Sequence, residues 1–277
     1  MTLNTETSSA DASASVNGTA THAGFYGDPS QVAAYDKAYL ELPELMLLHQ
    51  LGERYRQVDM LDIGVGAGRT SVFFAPMVKH YTGVDLAEPM VVACRRRLAD
   101  LGSSGPVQFA VADAVELQQF DDERFDLVLF SYNGIDCIPE RSREQCLRSI
   151  RRVLRPGGRF VFSAHNLRYI GAYYQLVWHQ HPRKMMREWD RLRRIRRNNG
   201  ALEPLLEREQ VSFWDGVYYE HPNLKHVFVK PEHQARELQR VGFTDITVRS
   251  RDTGRVLDAD AIRTINEPWV YFSCVRQ

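Results

Sequence analysis

An apolar run that breaks into three closely spaced glycines constrains this chain more than any other feature. Met60-Leu61-Asp62-Ile63 leads into Gly64-Val65-Gly66-Ala67-Gly68, and Arg69-Thr70 opens an expected helix. Glycine at a strand-to-helix turn permits a tight backbone and lets a ligand approach without Cβ obstruction. The N–H groups at the start of the helix face a negative group favourably. Downstream, short apolar strands alternate with helices. Strands are expected at 58–65, 81–86, 107–112, 125–132 and 159–164, and helices at 70–78, 88–101 and 141–154. Gly102-Ser103-Ser104-Gly105-Pro106 reads as a turn, and Arg155-Pro156-Gly157-Gly158 stops the helix before it. Apolar strands separated by helices call for a parallel sheet buried on both faces. Further strands are expected at 243–248 and 269–275, with a helix at 231–240.

The glycine spacing is GxGxG, whereas a dinucleotide loop more often shows GxGxxG. Three acids accompany it, Asp62, Asp85 and Asp113, each at the carboxyl end of a successive expected strand. That edge is where ligands bind in open α/β sheets. Asp62 can pair with an ammonium group, Asp85 can accept from both hydroxyls of a ribose, and Asp113 can accept from the amino group of a base. Any one of them alone reads equally well as a helix cap or a surface acid; the set of three is the signal.

These segments resemble the class I S-adenosylmethionine-dependent methyltransferases over residues 58–166. Leu61-Asp62-Ile63-Gly64-Val65-Gly66-Ala67-Gly68 matches the first motif of that family, and Asp85 its ribose-binding acid. Asp113-Ala114 matches the adenine position, Phe125-Asp126-Leu127-Val128-Leu129-Phe130 the fourth strand, and Leu154-Arg155-Pro156-Gly157-Gly158 the turn before the fifth. The resemblance implies a Rossmann-like α/β fold: a mostly parallel seven-stranded sheet with helices on both faces, closed by an antiparallel last strand. It implies S-adenosylmethionine as cofactor. Asp62, Gly64, Gly66, Gly68, Asp85, Asp113 and Ala114 would then bind it, with Leu86 and Met90 on the adenine side. Phe130, Ser131 and Tyr132 would line the methionine end, and Tyr26 and Tyr35 would close over the cofactor from the N-terminal helices.

Methyl transfer from a sulfonium is an in-line displacement from an already activated donor, so alignment and exclusion of water matter most. A base is needed only where the acceptor loses a proton. His165, after the fifth strand in Ser163-Ala164-His165-Asn166, is the candidate base; its ordinary pKa suits that role near neutrality. It reads also as a histidine that positions substrate without proton transfer. Asn133 is expected to position cofactor or acceptor, although Asn133-Gly134 is equally a turn dipeptide.

The remaining chain divides by composition. Residues 1–24, rich in Ser, Thr and Ala, bury too little to order and are expected as a flexible tail. Residues 25–57 read as N-terminal helices over the cofactor site, restarted at Pro43. Residues 58–166 form the cofactor-binding core, 167–225 a substrate-cap insertion, and 226–277 the completion of the sheet. The cap holds Tyr169, Tyr173, Tyr174, Trp178, His179, His181, Trp189, Phe213, Trp214, Tyr218 and Tyr219, enough aromatic surface to wall a pocket for an organic acceptor or to fill its own core. Met185, Trp189, Leu192 and Ile195 fall at helical spacing and are expected to form a buried face. The arginine-rich stretch 183–197 reads as a solvated face paired with Glu203, Glu207 and Glu209, or as a site for RNA or an acidic substrate.

A formal net charge of zero argues against a chain that grips nucleic acid over its whole surface, and no apolar run is long enough to span a bilayer. The four cysteines are scattered, and His179 and His181 lack a third ligand at suitable spacing, so neither a disulfide framework nor a metal is expected. A cytoplasmic enzyme with a small-molecule methyl acceptor is the favoured reading. The alternatives are an RNA or protein methyltransferase using the arginine-rich helix, a nicotinamide-dependent oxidoreductase, or a non-catalytic binding protein. Ser131-Tyr132-Asn133-Gly134 stands where base-modifying members of the family often carry an Asn/Asp-Pro-Pro-aromatic motif, which counts against the RNA reading. The GxGxG spacing and Asp113 count against the oxidoreductase.

Overall fold

In the computed structural model, which describes residues 22–35, 37–100, 106–216, 221 and 223–277, every strand expected from the sequence forms. The first is β1 (Asp59–Ile63), flanked by parallel partners β2 (His80–Asp85) and β4 (Phe125–Phe130). β3 (Val107–Val111) adds beyond β2, and β5 (Leu154–Asn166) beyond β4, all parallel. β8 (Phe243–Ser250) and β9 (Trp269–Arg276) pair antiparallel, and β9 runs antiparallel along β5 from Arg159 to His165. The order β3-β2-β1-β4-β5 reverses direction between β1 and β4, which opens a crevice at the carboxyl ends of those two strands.

Successive residues of the central strands face opposite sides, as the twofold period of a strand requires. Leu61, Val128, Phe160 and Phe162 join a core that includes Leu147 and Ile150 from helix α5 (Glu140–Val153) and Leu238 and Val241 from helix α9 (Pro231–Val241). Met60, Leu127, Leu129 and Val161 face the other way. They pack with Leu47 of α2 (Leu42–Leu51), Phe74 of α3 (Ser71–Phe74) and Cys94 and Leu98 of α4 (Glu88–Asp100). Pro43 occupies the first turn of α2, where its missing N–H costs nothing.

Among the described residues the sheet has nine strands rather than seven. β6 (Gln210–Phe213) and β7 (His226–Val229) pair antiparallel, and β7 attaches to the last two residues of β5 in parallel. Four-residue strands are too short for a convincing alternation, so the sequence conceals them. The cap before them is helical, with α7 (Pro182–Asn199) and α8 (Leu202–Glu207). Its aromatic residues build a core of their own: Phe213 and Trp214 are fully buried with Ile195, Val211 and Phe228, and Tyr173 and Tyr174 pack against them.

Three expectations for the chain's ends and cap need correction. Residues 22–24, expected in the flexible tail, are helical, and His22 is buried; residues 1–21 lie outside the described residues, as do 102–105, Tyr218 and Tyr219. Trp189 does not join the buried face of α7 but is 59% exposed. Glu188 turns inward instead, because it accepts the Val177 N–H at 3.0 Å and pairs with Arg191 at 2.6 Å. Two arginines of α7 pair within their own helix, Arg191 with Glu188 and Arg194 with Asp190, whereas Glu209 pairs with Arg236, His233 and Lys230. Among the described residues, no helix is long and apolar enough to cross a membrane.

Candidate active site

The glycine loop closes on the carboxyl end of β1. Gly64, Gly66 and Gly68 all hold positive φ, at 66°, 53° and 91°, a region glycine enters without penalty. Gly64 and Val65 donate their N–H groups to the Val84 carbonyl, and Gly66 donates to Asp85 Oδ2 at 2.9 Å. Asp85 Oδ1 accepts the Ala87 N–H at 2.9 Å. One carboxylate therefore ties the loop after β1 to the turn after β2. Burial raises its pKa against these backbone hydrogen bonds. Each oxygen retains a lone pair for a further donor. Asp113, after β3, accepts the Val115 N–H at 2.8 Å.

Asp62 is almost fully buried and accepts the Thr70 and Tyr81 hydroxyls, each at 2.6 Å. Burial outweighs those bonds and raises its pKa to about 6. Beside it, Arg69 makes a bidentate pair with Glu44 of α2, at 2.6 and 2.7 Å, and donates to Ser131 Oγ at 2.5 Å. Tyr271 of β9 donates to Glu44 at 2.9 Å. The guanidinium lies over Tyr39 and Tyr132, about 5 Å from each ring centroid. This network fastens the N-terminal helices to the glycine loop and to the ends of β4 and β9.

After β4 the chain passes through two left-handed residues in succession, Tyr132 and Asn133. Such strain in non-glycine residues persists only where surroundings enforce it, and here the Asn133 N–H donates to Ser163 Oγ at 2.8 Å. The next turn, Gly134–Cys137, presents Asp136. Asp136 is wholly buried: Oδ1 receives Arg143 at 3.1 Å, and Oδ2 receives the His165 N–H at 2.6 Å. His165 Nδ1 also approaches Oδ2 to 2.9 Å, a close contact rather than an aligned hydrogen bond. Nε2 of the same ring lies 3.3 Å from Asn133 Nδ2.

A second histidine stands against it. The His226 ring lies 5.5 Å from His165, and its Nδ1 is 3.2 Å from Asp215 Oδ2. Burial disfavours a charge on His226, but hydrogen bonds to Asp215 and Cys137 outweigh this and raise its pKa to about 10. His22 completes the cluster, 5.9 Å from His226 between ring centroids.

Many of these groups line one cavity of about 320 Å³. The acids Asp62, Asp85 and Asp113 line it with Gly64, Gly66, Leu86, Met90 and Ala114. Phe130, Ser131, Tyr132, Asn133 and His165 line it as well, and Tyr26 and Tyr35 reach it from the N-terminal helices. Those tyrosines pack on Ala67, Ala87 and Met90.

Residues 60–158 match the family model described as a methyltransferase domain. That stretch of the chain is similar to a methyltransferase domain, and the fold around it is that of S-adenosylmethionine-dependent methyltransferases. A demethylmenaquinone methyltransferase of Clavibacter sepedonicus is 37% identical over 102 residues, 37% of this chain and 39% of the relative. A ubiquinone/menaquinone biosynthesis C-methyltransferase of Idiomarina loihiensis is 34% identical over 125 residues, 41% and 48% of the two chains. The matches thus span less than half the length of these relatives. In fold, the chain is similar to an S-adenosylmethionine-dependent methyltransferase of Mesorhizobium loti, with TM-score 0.58 and 18% identity over 84% of this chain and 98% of the other. It is also similar to the 1,6-didemethyltoxoflavin-N1-methyltransferase of Burkholderia thailandensis, with TM-score 0.59 and 18% identity over 99% and 93%.

Of the sequence-predicted site residues, Gly68 is the one outside the cavity lining. A Cβ there would meet Cys94 Sγ at 3.0 Å, so this glycine serves the packing of the loop on α4. Of the cap's described residues, Asp215 alone reaches the cavity; Tyr173, Tyr174, Phe213 and Trp214 fill the cap's core instead, and Trp178 and Trp189 are exposed. The sequence reading missed His22, Arg69, Cys137, Asp215, His226 and Trp269, all of them lining residues. Two signals were present: an acid in the apolar run Leu42-Pro43-Glu44-Leu45, which needs a buried cation, and a histidine opening the apolar run His226-Val227-Phe228-Val229.

The elevated pKa of Asp62 has a measurable consequence. With the folded value above the unfolded 3.8, the fold favours the neutral acid. That contribution to stability is complete below about pH 4 and is lost as pH rises through about 6. Asp62→Asn keeps an acceptor for Thr70 and Tyr81 but cannot titrate. In urea unfolding at a series of pH values, the stability of wild type minus that of the variant should fall by on the order of 3 kcal/mol between about pH 4 and pH 7. A difference that stays flat over that range would show that Asp62 ionises normally.

Proposed function

We propose that this chain transfers the methyl group of S-adenosylmethionine to a small organic molecule. The observation that carries the reading is that one cavity joins the glycine loop and its three acids to a wall of histidines held by buried carboxylates. The residues present fit the cofactor. Asp85 offers two oxygens fixed by backbone N–H groups to the ribose hydroxyls, Asp113 accepts from the adenine amino group, and Asp62 faces the ammonium. Leu86 and Met90 supply an apolar surface for the base, and Phe130, Ser131 and Tyr132 bound the methionine end.

S-adenosylmethionine, once bound, supplies a methyl carbon on a positively charged sulfur. The protein's part is to hold the acceptor in line with it and keep water out. Tyr26, Tyr35 and Trp269 cover the cavity for the second purpose. For an acceptor that carries a hydroxyl or N–H, His165 takes the proton as the new bond to carbon forms. Asp136 at Nδ1 orients the imidazole and stabilises its charged form, and the acceptor displaces the Asn133 amide from Nε2, the nitrogen that receives the proton. Relatives named for ubiquinone and menaquinone biosynthesis, and a structural neighbour named for 1,6-didemethyltoxoflavin, support a small-molecule acceptor. The cavity, lined by apolar and aromatic side chains with a few polar groups, supports it too.

Methyl-labelled S-adenosylmethionine incubated with the protein and a cell extract, then separated into small-molecule, RNA and protein fractions, tests the reading. Label is expected among small molecules; label confined to RNA or protein would overturn the acceptor class. With the acceptor so found, His165→Gln should slow single-turnover methyl transfer by about 10²-fold or more while cofactor affinity stays within about twofold. A variant that reacts at the wild-type rate would remove His165 from the chemistry.

A further inference from the structure

We propose that His22, Cys137 and His226 hold a zinc ion in the cavity wall. The three side chains come from separate parts of the chain: the helical residues 22–26, the turn that follows β4, and the first position of β7. Their ligand atoms all lie within 4.8 Å of one another. Both histidines are buried, Cys137 is partly so, and all three line the cavity. Nothing in their spacing along the chain foreshadows this, since the residues are separated by more than a hundred and by nearly ninety positions. The scattered cysteines and the pair His179 and His181 gave no reason to expect a metal, and that pair is not part of the cluster.

The donor set selects the metal. One thiolate and two imidazoles suit zinc better than calcium or magnesium, which prefer oxygen. Ligand atoms around tetrahedral zinc lie about 3.3–3.8 Å apart, so an ion draws these side chains slightly inward. Asp215 supports the assignment independently. Its carboxylate meets His226 Nδ1 at 3.2 Å, which leaves Nε2 to face Cys137. A carboxylate behind a histidine in this way fixes the tautomer and raises the basicity of the ligating nitrogen, the usual outer arrangement of metal-bound histidine. Tyr26 Oη, 3.8 Å from Cys137 Sγ, gives the sulfur a second neighbour.

Three protein ligands leave a tetrahedral ion one open position, the pattern of a catalytic rather than a structural site. Because all three ligands line the cavity, that position falls to water or to a hydroxyl or thiol of the acceptor. Zinc would lower the pKa of such a group and favour its deprotonated, nucleophilic form. The role of the open position rests on the methyl-transfer reading above; the existence of the site does not.

The test is made on the full chain. Metal content of the purified protein is measured by mass spectrometry of the elements, and the metal-free protein is titrated with Zn²⁺ against a chromophoric chelator. Co²⁺ is then substituted and its absorption recorded. One equivalent of zinc is expected, with a thiolate-to-cobalt charge-transfer band in the near ultraviolet. Cys137→Ser should abolish the band and lower zinc affinity by at least tenfold. Asp215→Asn should keep the band but lower affinity about 10–100-fold. Far-ultraviolet circular dichroism establishes that each variant is folded, and a misfolded Cys137→Ser is replaced by His226→Gln, for which the same loss of affinity is expected. Wild-type protein with neither stoichiometric zinc nor a cobalt–thiolate band would overturn the proposal, as would zinc affinity unchanged in a folded Cys137→Ser or His226→Gln. Zinc binding without transferred label would leave the site standing and count against the methyltransferase reading; transferred label without zinc would do the reverse.

Discussion

A carboxylate with no solvent exposure, Asp136, holds the acceptor end of the cavity in shape. An isolated buried charge is too costly to persist, so its partners are obligatory. One oxygen meets the equally buried Arg143, whose guanidinium also donates to the Ile135 carbonyl at 3.0 Å and to Gln234 Oε1 at 2.5 Å. The other oxygen binds the His165 backbone and approaches its ring. Through these contacts α5, α9, β5 and the turn after β4 share one electrostatic anchor. The strained pair Tyr132 and Asn133 sits directly before that turn, and the anchor is part of what enforces its conformation.

The opposite end of the cavity depends on a second acid. Asp85 ties the glycine loop to the turn after β2, while the Arg69–Glu44 pair ties the same loop to the N-terminal helices. Both devices work because the sheet reverses direction between β1 and β4, which brings the carboxyl ends of β1, β2, β4 and β5 around one crevice. The ends of β1, β2 and β5 carry Asp62, Asp85 and His165, and the short turns that follow β3 and β4 carry Asp113, Asn133 and Asp136.

How much of this was legible in the sequence follows from how local each signal is. The core strands could be read from apolar runs, and the glycine loop from residue types that only a left-handed turn requires. Asp85 and Asp113 could be placed because each directly follows a strand. Gly68, expected as a ligand contact, lies outside the cavity lining; a glycine that admits Cys94 and one that admits a ligand look alike in sequence. Trp189 was misplaced because the helical period leaves the phase of the buried face open, and Glu188, satisfied by Val177 and Arg191, took the inward position. The cap's aromatics signalled burial but not what they bury against. The cluster of His22, Cys137 and His226 was invisible because its members meet only through the tertiary fold.

The claim that joins these observations is that one cavity binds the cofactor along the acids of β1, β2 and β3 and presents it to the histidine wall. A crystal structure of the protein grown with S-adenosylhomocysteine tests this most directly. The account predicts the ribose hydroxyls on Asp85, the adenine amino group at Asp113, and the sulfur directed toward Tyr132, Asn133 and His165. Density for the nucleoside outside this cavity, or within it but reversed so that the sulfur lies beside Asp113, would contradict the account.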